Sequence, residues 1–396
     1  MLTCNIFDKE LENPFFLPSA QPVRTRAMIE KAYKAGWGGV VTQSIHLGRV
    51  RLENVSPRFH IYRNNEEVVG FMNIDLISMR PYEDWLEDIY YLKKKYPQKA
   101  LVASIMHIGE DLNGWSILAS ECEKAGADLI ELNLSCPHGV TELGAGAVIG
   151  QNPELTAQAV EYSIRGTKLP VMAKLSPNVT SILQIAQAAV QKGIHGFTLT
   201  NNLNCLAGID LDNLAPLPSV MGYSTFGGYA GPGLKPVSLR CVAEIAIAFP
   251  DIMIAGTGGV SSWYEAAEYI SLGAHVVQVY EKVVFDGYAC INDFCQGLET
   301  YLISKGFISL SQFRGIMLEK ISDHISLPRE KMVATIDYDK CTNCGKCYQG
   351  CESGAYQAIN LDEKNVPVII TAACDGCGLC SAICIPKAII IGKALE

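Results

Sequence analysis

The chain has 396 residues, 49 % of them hydrophobic, enough for a large buried core and about two or three domains. Its formal net charge of −9 argues against a nucleic-acid partner, which would favour a basic stripe. No apolar run approaches the ~18 residues that a membrane span needs.

The opening stretch, MLTCNIFDKELENPFF, has an acidic flank and no apolar centre, so no secretory signal is expected. Short apolar runs then alternate with amphipathic stretches as far as residue 310. The runs are Phe15–Pro18, Gly39–Gln43, Leu101–Met106, Leu129–Leu134, Val171–Leu175, Phe197–Thr200, Met253–Gly256 and Val276–Tyr280. Glycine turns such as Ala35-Gly36-Trp37, Ala125-Gly126-Ala127 and Leu272-Gly273-Ala274 precede several of them. Strand, helix, glycine turn, strand is the rhythm of a parallel βαβ sheet. Eight repeats predict an α/β fold of the (β/α)8 barrel type over residues 1–310, with an open doubly wound sheet as the alternative.

In such a barrel the working residues sit at the C-terminal strand ends and in the loops beyond them. Ser19 and Ala20 follow the first run, and Gln43 ends the second. Asn73 follows the long loop after strand 2. Asn133, Ser135, Cys136 and His138 follow strand 4, and Lys174 lies on strand 5. Thr200, Asn201 and Asn202 end strand 6, Gly258 and Gly259 follow strand 7, and Tyr280 ends strand 8. Singly, each has a plain reading as helix cap, turn residue or buried small side chain. Together, four Asn, a Ser, a Cys and a Lys on one face suit a planar substrate with several hydrogen bonds. A Cys beside it can deliver a proton to carbon. A fixed Lys suits an electron-rich ring, and the glycines suit phosphate capture by backbone N–H groups. The glycine-rich run Gly144–Gly150 mimics a dinucleotide fingerprint. It has one residue too many before the last Gly and no strand directly before it, so no nicotinamide site is expected there.

Residues 311–335 are polar and mixed in charge, and read as a connector. Residues 336–396 hold two copies of C-x2-C-x2-C-x3-C: Cys341, Cys344, Cys347, Cys351 and Cys374, Cys377, Cys380, Cys384. This is the two-cluster ferredoxin run, in which the fourth Cys of each copy ligates the other cluster. Cys341, Cys344, Cys347 and Cys384 are thus expected to hold one [4Fe–4S] cluster, and Cys374, Cys377, Cys380 and Cys351 the second. Zinc would favour paired CxxC units about 15 residues apart, often with His, and no His lies beyond His324. Such ligands need reduced thiols, so a cytoplasmic location is expected.

The segments ELNLSCPHG, AKLSPNVT, FGGYAGPGLKPVSLR and TGGV, placed before CTNCGKCY, resemble the dihydropyrimidine dehydrogenase family in its short bacterial form. The resemblance covers nearly the whole chain, and dihydroorotate dehydrogenases share its barrel. It implies FMN at the barrel mouth, with Ser19, Ala20, Gln43, Lys174 and Thr200 near the flavin and Gly231, Gly258, Gly259 and Tyr280 towards its phosphate. Lys174 would face the N1/O2 side. Cys136 would protonate C5 of a pyrimidine, helped by Ser135, while hydride reaches C6. Asn73, Asn133, Asn201 and Asn202 would hold the imide edge, and His138 would ride on a closing loop. Electrons would enter through the two clusters from an NAD(P)H-oxidising flavoprotein partner or another donor. Self-association stays open. Alternatives are dihydroorotate oxidation, reduction of another cyclic enamide, or an electron-transfer subunit. The sequence departs from the family at three positions: Gln43 replaces a usual Lys, Asn202 a Thr, and Glu281 a small residue at the phosphate end.

Overall fold

A computed structural model describes residues 1–47, 53–136, 141 and 144–393. They divide into two compact units, Met1–Lys320 and Ile321–Glu396.

The first unit is a closed barrel of eight parallel strands: β1 (Phe15–Leu17), β2 (Gly39–Val41), β3 (Ala100–Ile105), β4 (Leu129–Asn133), β5 (Val171–Leu175), β6 (Gly196–Leu199), β7 (Met253–Thr257) and β8 (Val276–Gln278). Closure comes from β8 beside β1, with Val277 opposite Phe15. Nearly every strand residue is buried, so the strands read as continuous apolar runs rather than alternations. The outer ring is α1 (Arg26–Ala35), α2 (Tyr82–Lys95), α3 (Asn113–Ala125), α4 (Pro153–Gly166), α5 (Ile182–Val190), α6 (Lys235–Ala248), α7 (Trp263–Ser271) and α8 (Ile291–Ser304). Thr25 caps α1 by accepting from the Met28 N–H, and Gly36 ends it in the left-handed region at φ +112°. Gly126 ends α3 the same way at φ +99°. Trp37, Trp85 and Trp115, each at most 1 % exposed, fill the shell between strands and helices.

Inside the barrel, Phe16, Val41, Val102, Leu129, Met172 and Val276 form an apolar floor. Ile6 and Leu11, from a hairpin of Cys4–Ile6 and Lys9–Leu11, join it and plug the end opposite the strand C-termini. Beyond the floor the interior turns polar. Glu131 accepts from the Thr198 hydroxyl at 2.7 Å and from the Gln278 amide at 3.4 Å.

The stretch after β2, read from the sequence as a long loop, holds two strands, Phe59–Asn64 and Glu67–Asn73. They join Gly227–Ala230 and Leu203–Cys205 in an antiparallel sheet beside the barrel. Its register sets Asn73 opposite Gly228. Phe71 and Met72 are buried on it, while the Phe59 strand alternates with solvent. The first unit also runs past residue 310, because Leu310 and Phe313 are each only 3 % exposed and pack on the barrel core. The glycine-rich run resolves into one helical turn, Ala147–Gly150. Gly150 is needed there for close packing, since a Cβ would stand 2.0 Å from the Leu134 carbonyl oxygen.

The second unit has two antiparallel ribbons. β9 (Met332–Ile336) pairs with β12 (Ile389–Lys393), and β10 (Ile359–Leu361) pairs with β11 (Pro367–Ile369). Its first strand starts at Met332, so the polar stretch between the folded cores is shorter than the 311–335 expected. The core is small: Ala334, Ala358, Ile359 and Ile389 around Cys347, Cys351 and Cys380. So little apolar area is marginal by itself.

Candidate active site

The strand C-termini open into one cavity with about 910 Å³ of open space including its mouth. Every barrel strand except β3 sends residues to it. Ser19 and Ala20 come from β1, and Gln43 and Ser44 from β2. Asn133 and Cys136 come from β4, Lys174 from β5, and Thr200, Asn201 and Asn202 from β6. Gly258 and Gly259 follow β7, and Gln278, Tyr280 and Glu281 belong to β8 and its end. Asn73 arrives from the side sheet. Thirteen of the sixteen barrel residues singled out from the sequence therefore face one space.

Ser135 and Gly231 stand just behind the wall. Ser135 accepts a hydrogen bond from Asn201 Nδ2 at 2.9 Å. Gly231 backs Gly259, where a Cβ would meet the Gly231 carbonyl oxygen at 2.7 Å. His138 lies outside the described residues.

The amides form an ordered chain. Asn133 donates to Ser44 Oγ at 2.7 Å and accepts from the Ser135 N–H at 3.3 Å. Ser44 meets the Ser104 hydroxyl at 3.1 Å. Asn201 accepts from the Asn202 N–H at 2.8 Å. Asn73 accepts from the Asp75 N–H at 3.3 Å. These bonds fix the planes of Asn73, Asn133 and Asn201 while leaving each amide capacity for a ligand. The Gln43 side chain takes part in no hydrogen bond among the described residues. Thr200 turns its hydroxyl to Ser238 at 2.6 Å, so it serves the wall more than the cavity.

Lys174 is 7 % exposed and has no ion pair or hydrogen bond among the described residues. Burial pushes its amine below the ordinary lysine range, opposed by the Glu131 carboxylate and the Cys136 sulfur. A largely buried ammonium at a cavity wall is a strong anchor for an electron-rich ring. Cys136 lines the same space and is 8 % exposed.

Beside β7 and β8 the wall is glycine and carboxyl. Gly258 has φ +118° and Gly259 φ +65°, and a Cβ on Gly258 would stand 2.4 Å from Ser238 Oγ. The backbone there approaches as closely as it can. Tyr269 locks the turn by donating to the Gly258 carbonyl at 2.7 Å. Tyr280 donates to Gln21, which donates to Asp75 at 2.7 Å. Arg58 and Arg24 hold Asp75 from two other segments. Glu281 is 7 % exposed, and its Oε1 has no hydrogen-bond partner among the described residues. Burial raises its carboxyl to about 7. It neither turns away nor pairs with Lys282, which instead meets Asp286 at 2.5 Å.

Sequence reasoning missed Ser44 and the Asp75 cluster. Ser44 adjoins Gln43 and was within reach of the strand-end rule. Asp75 draws on Gln21, Arg24 and Arg58, too far apart in the chain to form a local pattern.

In the second unit two further cavities hold the eight cysteines. Cys341, Cys344, Cys347 and Cys384 line one of about 330 Å³. Cys351, Cys374, Cys377 and Cys380 line the other, of about 350 Å³. Each fourth cysteine thus lies with the other copy's three. Three backbone amides face these sulfurs: Ala334 N–H to Cys374 at 3.5 Å, Ala358 N–H to Cys351 at 3.3 Å and Ala388 N–H to Cys384 at 3.2 Å.

Comparison with known proteins agrees with this geometry. The family described as "Dihydroorotate dehydrogenase" matches residues 1–302, and "4Fe-4S dicluster domain" matches residues 334–391. The chain is 37 % identical over 386 residues to the NAD-dependent dihydropyrimidine dehydrogenase subunit PreA of Escherichia coli K12, covering 96 % of this chain and 93 % of that one. It is 34 % identical over 346 residues to the chloroplastic dihydropyrimidine dehydrogenase (NADP(+)) of Arabidopsis thaliana, covering 84 % and 80 %. It is also 34 % identical over 316 residues to the catalytic subunit of dihydroorotate dehydrogenase B (NAD(+)) of Methanothermobacter thermautotrophicus, covering 80 % and 98 %. With a closed barrel, a cavity at its strand C-termini and a cysteine-rich second unit, the chain belongs to the dihydroorotate dehydrogenase family of oxidoreductases, in the PreA-like form that carries a C-terminal 4Fe-4S dicluster domain.

Proposed function

We propose that the barrel binds FMN, that the second unit binds two [4Fe–4S] clusters, and that the chain reversibly reduces the 5,6 double bond of uracil or thymine. Two observations support the cofactors. A buried Lys174, without an ion pair or hydrogen bond among the described residues, and the Gly258–Gly259 turn share one cavity, as a flavin with its phosphate tail requires. The cysteines surround voids, and among the described residues no three ligating side chains converge on a single-ion position. A cubane separates its ligands in that way, and zinc would gather them.

The flavin, when bound, supplies the hydride for C6 of the ring. The protein's own residues supply the rest. Asn73, Asn133, Asn201 and Asn202 match the alternating donors and acceptors of a pyrimidine edge and hold the ring flat. The Cys136 thiol gives its proton to C5 and regains one from solvent, and in the reverse direction its thiolate removes that proton. Ser135 steadies this loop through Asn201. Two electrons and two protons convert the double bond to its dihydro form. The eight cysteines would hold clusters that, when bound, would pass on electrons from a partner subunit that oxidises NAD(P)H. The E. coli and Arabidopsis relatives, named for dihydropyrimidine dehydrogenation with NAD and NADP(+), support this order of parts.

The observation that carries the reading is one cavity holding Cys136, Lys174 and the four Asn together. An electron carrier has no use for a proton donor beside a ring of amides. Dihydroorotate is the second reading, supported by the Methanothermobacter relative. Its carboxylate needs a cation, and among the described lining residues Lys174 is the one Lys or Arg. Anaerobic mixing of the reduced protein with uracil, thymine and orotate decides. Reoxidation of the flavin band by uracil or thymine is the expected result, and reaction with orotate alone would replace it.

A further inference from the structure

The charge at the glycine end of the barrel cavity is unusual for a site that takes a phosphate. β7 and β8 are neighbours, with Thr257 opposite Gln278. Gly258 and Gly259 follow the first directly, and Glu281 follows the second by three residues. Both line the same cavity. Tyr269, bonded to the Gly258 carbonyl, feels the charge of Glu281, so the carboxyl and the turn are close.

Among the described residues, the cations near this end are already engaged. Lys235, packed against Gly259, meets Glu268 at 2.7 Å. Lys282 pairs with Asp286, and Arg24 and Arg58 with Asp75. Lys174 stands on β5, three strands away around the barrel. The other groups facing Glu281 are the phenols of Tyr229, Tyr269 and Tyr280, which carry no positive charge. A buried carboxylate with one oxygen unbonded would repel a phosphate. The neutral acid would instead donate that oxygen's proton to it.

We propose that Glu281 couples flavin binding to a proton: the phosphate monoester of FMN enters the Gly258–Gly259 end when the Glu281 carboxyl is in its neutral, hydrogen-bond-donating form. This rests on the flavin reading above. The buried carboxyl titrates near neutrality, so the coupling operates across ordinary cellular pH. Its sign is fixed. FMN binding takes up a proton at Glu281 and weakens as pH rises through the carboxyl's range, up to about tenfold per unit beyond it. Riboflavin has the same ring and no phosphate, so it escapes the coupling.

The test uses the full chain with its clusters intact and its flavin removed. FMN and riboflavin are titrated in by fluorescence quenching at pH 6.5 and 8.5, on the wild type, Glu281→Gln and Glu281→Ser. The cluster absorbance reports that each variant is folded. The expected result is an FMN Kd that rises about tenfold or more in the wild type and less than about threefold in both variants. Riboflavin should change less than about threefold throughout. A flat wild-type FMN profile, a fall retained in Glu281→Gln, or riboflavin falling as steeply as FMN would each overturn the proposal. Binding of neither flavin to any of the three proteins would remove the flavin reading itself, and the proposal with it.

Discussion

Asn133 Nδ2 donates to Ser44 Oγ at 2.7 Å and so ties the end of β4 to the end of β2 across the barrel mouth. Both side chains are buried, and Ser44 is braced in turn by Ser104. One small hydroxyl therefore sets the plane of a cavity-facing amide. Ser44→Ala should leave that donor unsatisfied at a cost of about 1–3 kcal/mol. The expected outcome is a raised pyrimidine KM with a smaller change in kcat, together with a lowered Tm. An unchanged KM would mean that Asn133 keeps its plane without Ser44.

Cys136→Ala should retain flavin, clusters and substrate binding but lose about 10²–10⁴-fold in turnover, the usual worth of a positioned acid. Cys136→Ser should keep a little activity. In the oxidative direction that remainder should grow with pH, because a hydroxyl ionises far less readily than a thiol of pKa about 8.5. Steady-state rates and substrate-induced spectral shifts measure both. Near wild-type turnover in Cys136→Ala would move the proton donor elsewhere.

Lys174 is strained by its burial. Below its lowered folded pKa the barrel carries an ammonium that water would solvate better, and that penalty fades only as pH rises through the folded pKa towards the unfolded one. At pH 7, Lys174→Met should therefore raise the Tm of the flavin-free protein by about 2–6 °C. The same change should weaken flavin binding, since it removes the cation proposed to face the ring. Calorimetry with and without added FMN separates the two effects. A fall in the flavin-free Tm would show that the ammonium is better satisfied than its surroundings indicate.

The crossed cysteine sets predict which cluster each substitution removes. Cys351→Ser should damage the cluster of Cys374, Cys377 and Cys380, and leave that of its sequence neighbours Cys341, Cys344 and Cys347. Iron should fall from about eight towards four per chain. Selective loss is visible by electron paramagnetic resonance of the reduced protein. Chelation of all iron should unfold the second unit while the barrel keeps its own transition, because so small a core depends on its metal. Zinc in place of iron in the purified protein would overturn the assignment.

No dinucleotide fingerprint was found in the sequence, and Gly144–Gly150 is a loop and one helical turn. The isolated chain should oxidise NADH or NADPH slowly, with the rate restored by a separate flavoprotein. Rapid turnover by the pure chain in a coupled absorbance assay would reveal a nicotinamide site.

Much of this protein is written locally. Eight cysteines at fixed spacing name their chemistry because cluster ligation demands that spacing. Eight apolar runs separated by glycine-closed helices name a barrel because a parallel strand buried on both faces has no polar alternation to show. The strand-end rule then places Gln43, Asn133, Lys174, Asn201 and Gly258 at one mouth without any contact being known. Tertiary structure alone decided the remainder. The side sheet carrying Asn73 reads as loop, since its strands are partly exposed and the second finds its outer partner about 155 residues later, at Gly227–Ala230. Asp75 gathers Gln21, Arg24 and Arg58, and Ser44 gathers Asn133 and Ser104, through packing that no spacing encodes. The fate of Glu281 was likewise undecidable from its neighbours. Whether it faced solvent, Lys282 or the cavity depended on how the end of β8 packs against Tyr269 and Tyr280, and a charge's burial belongs to the fold around it rather than to the chain on either side.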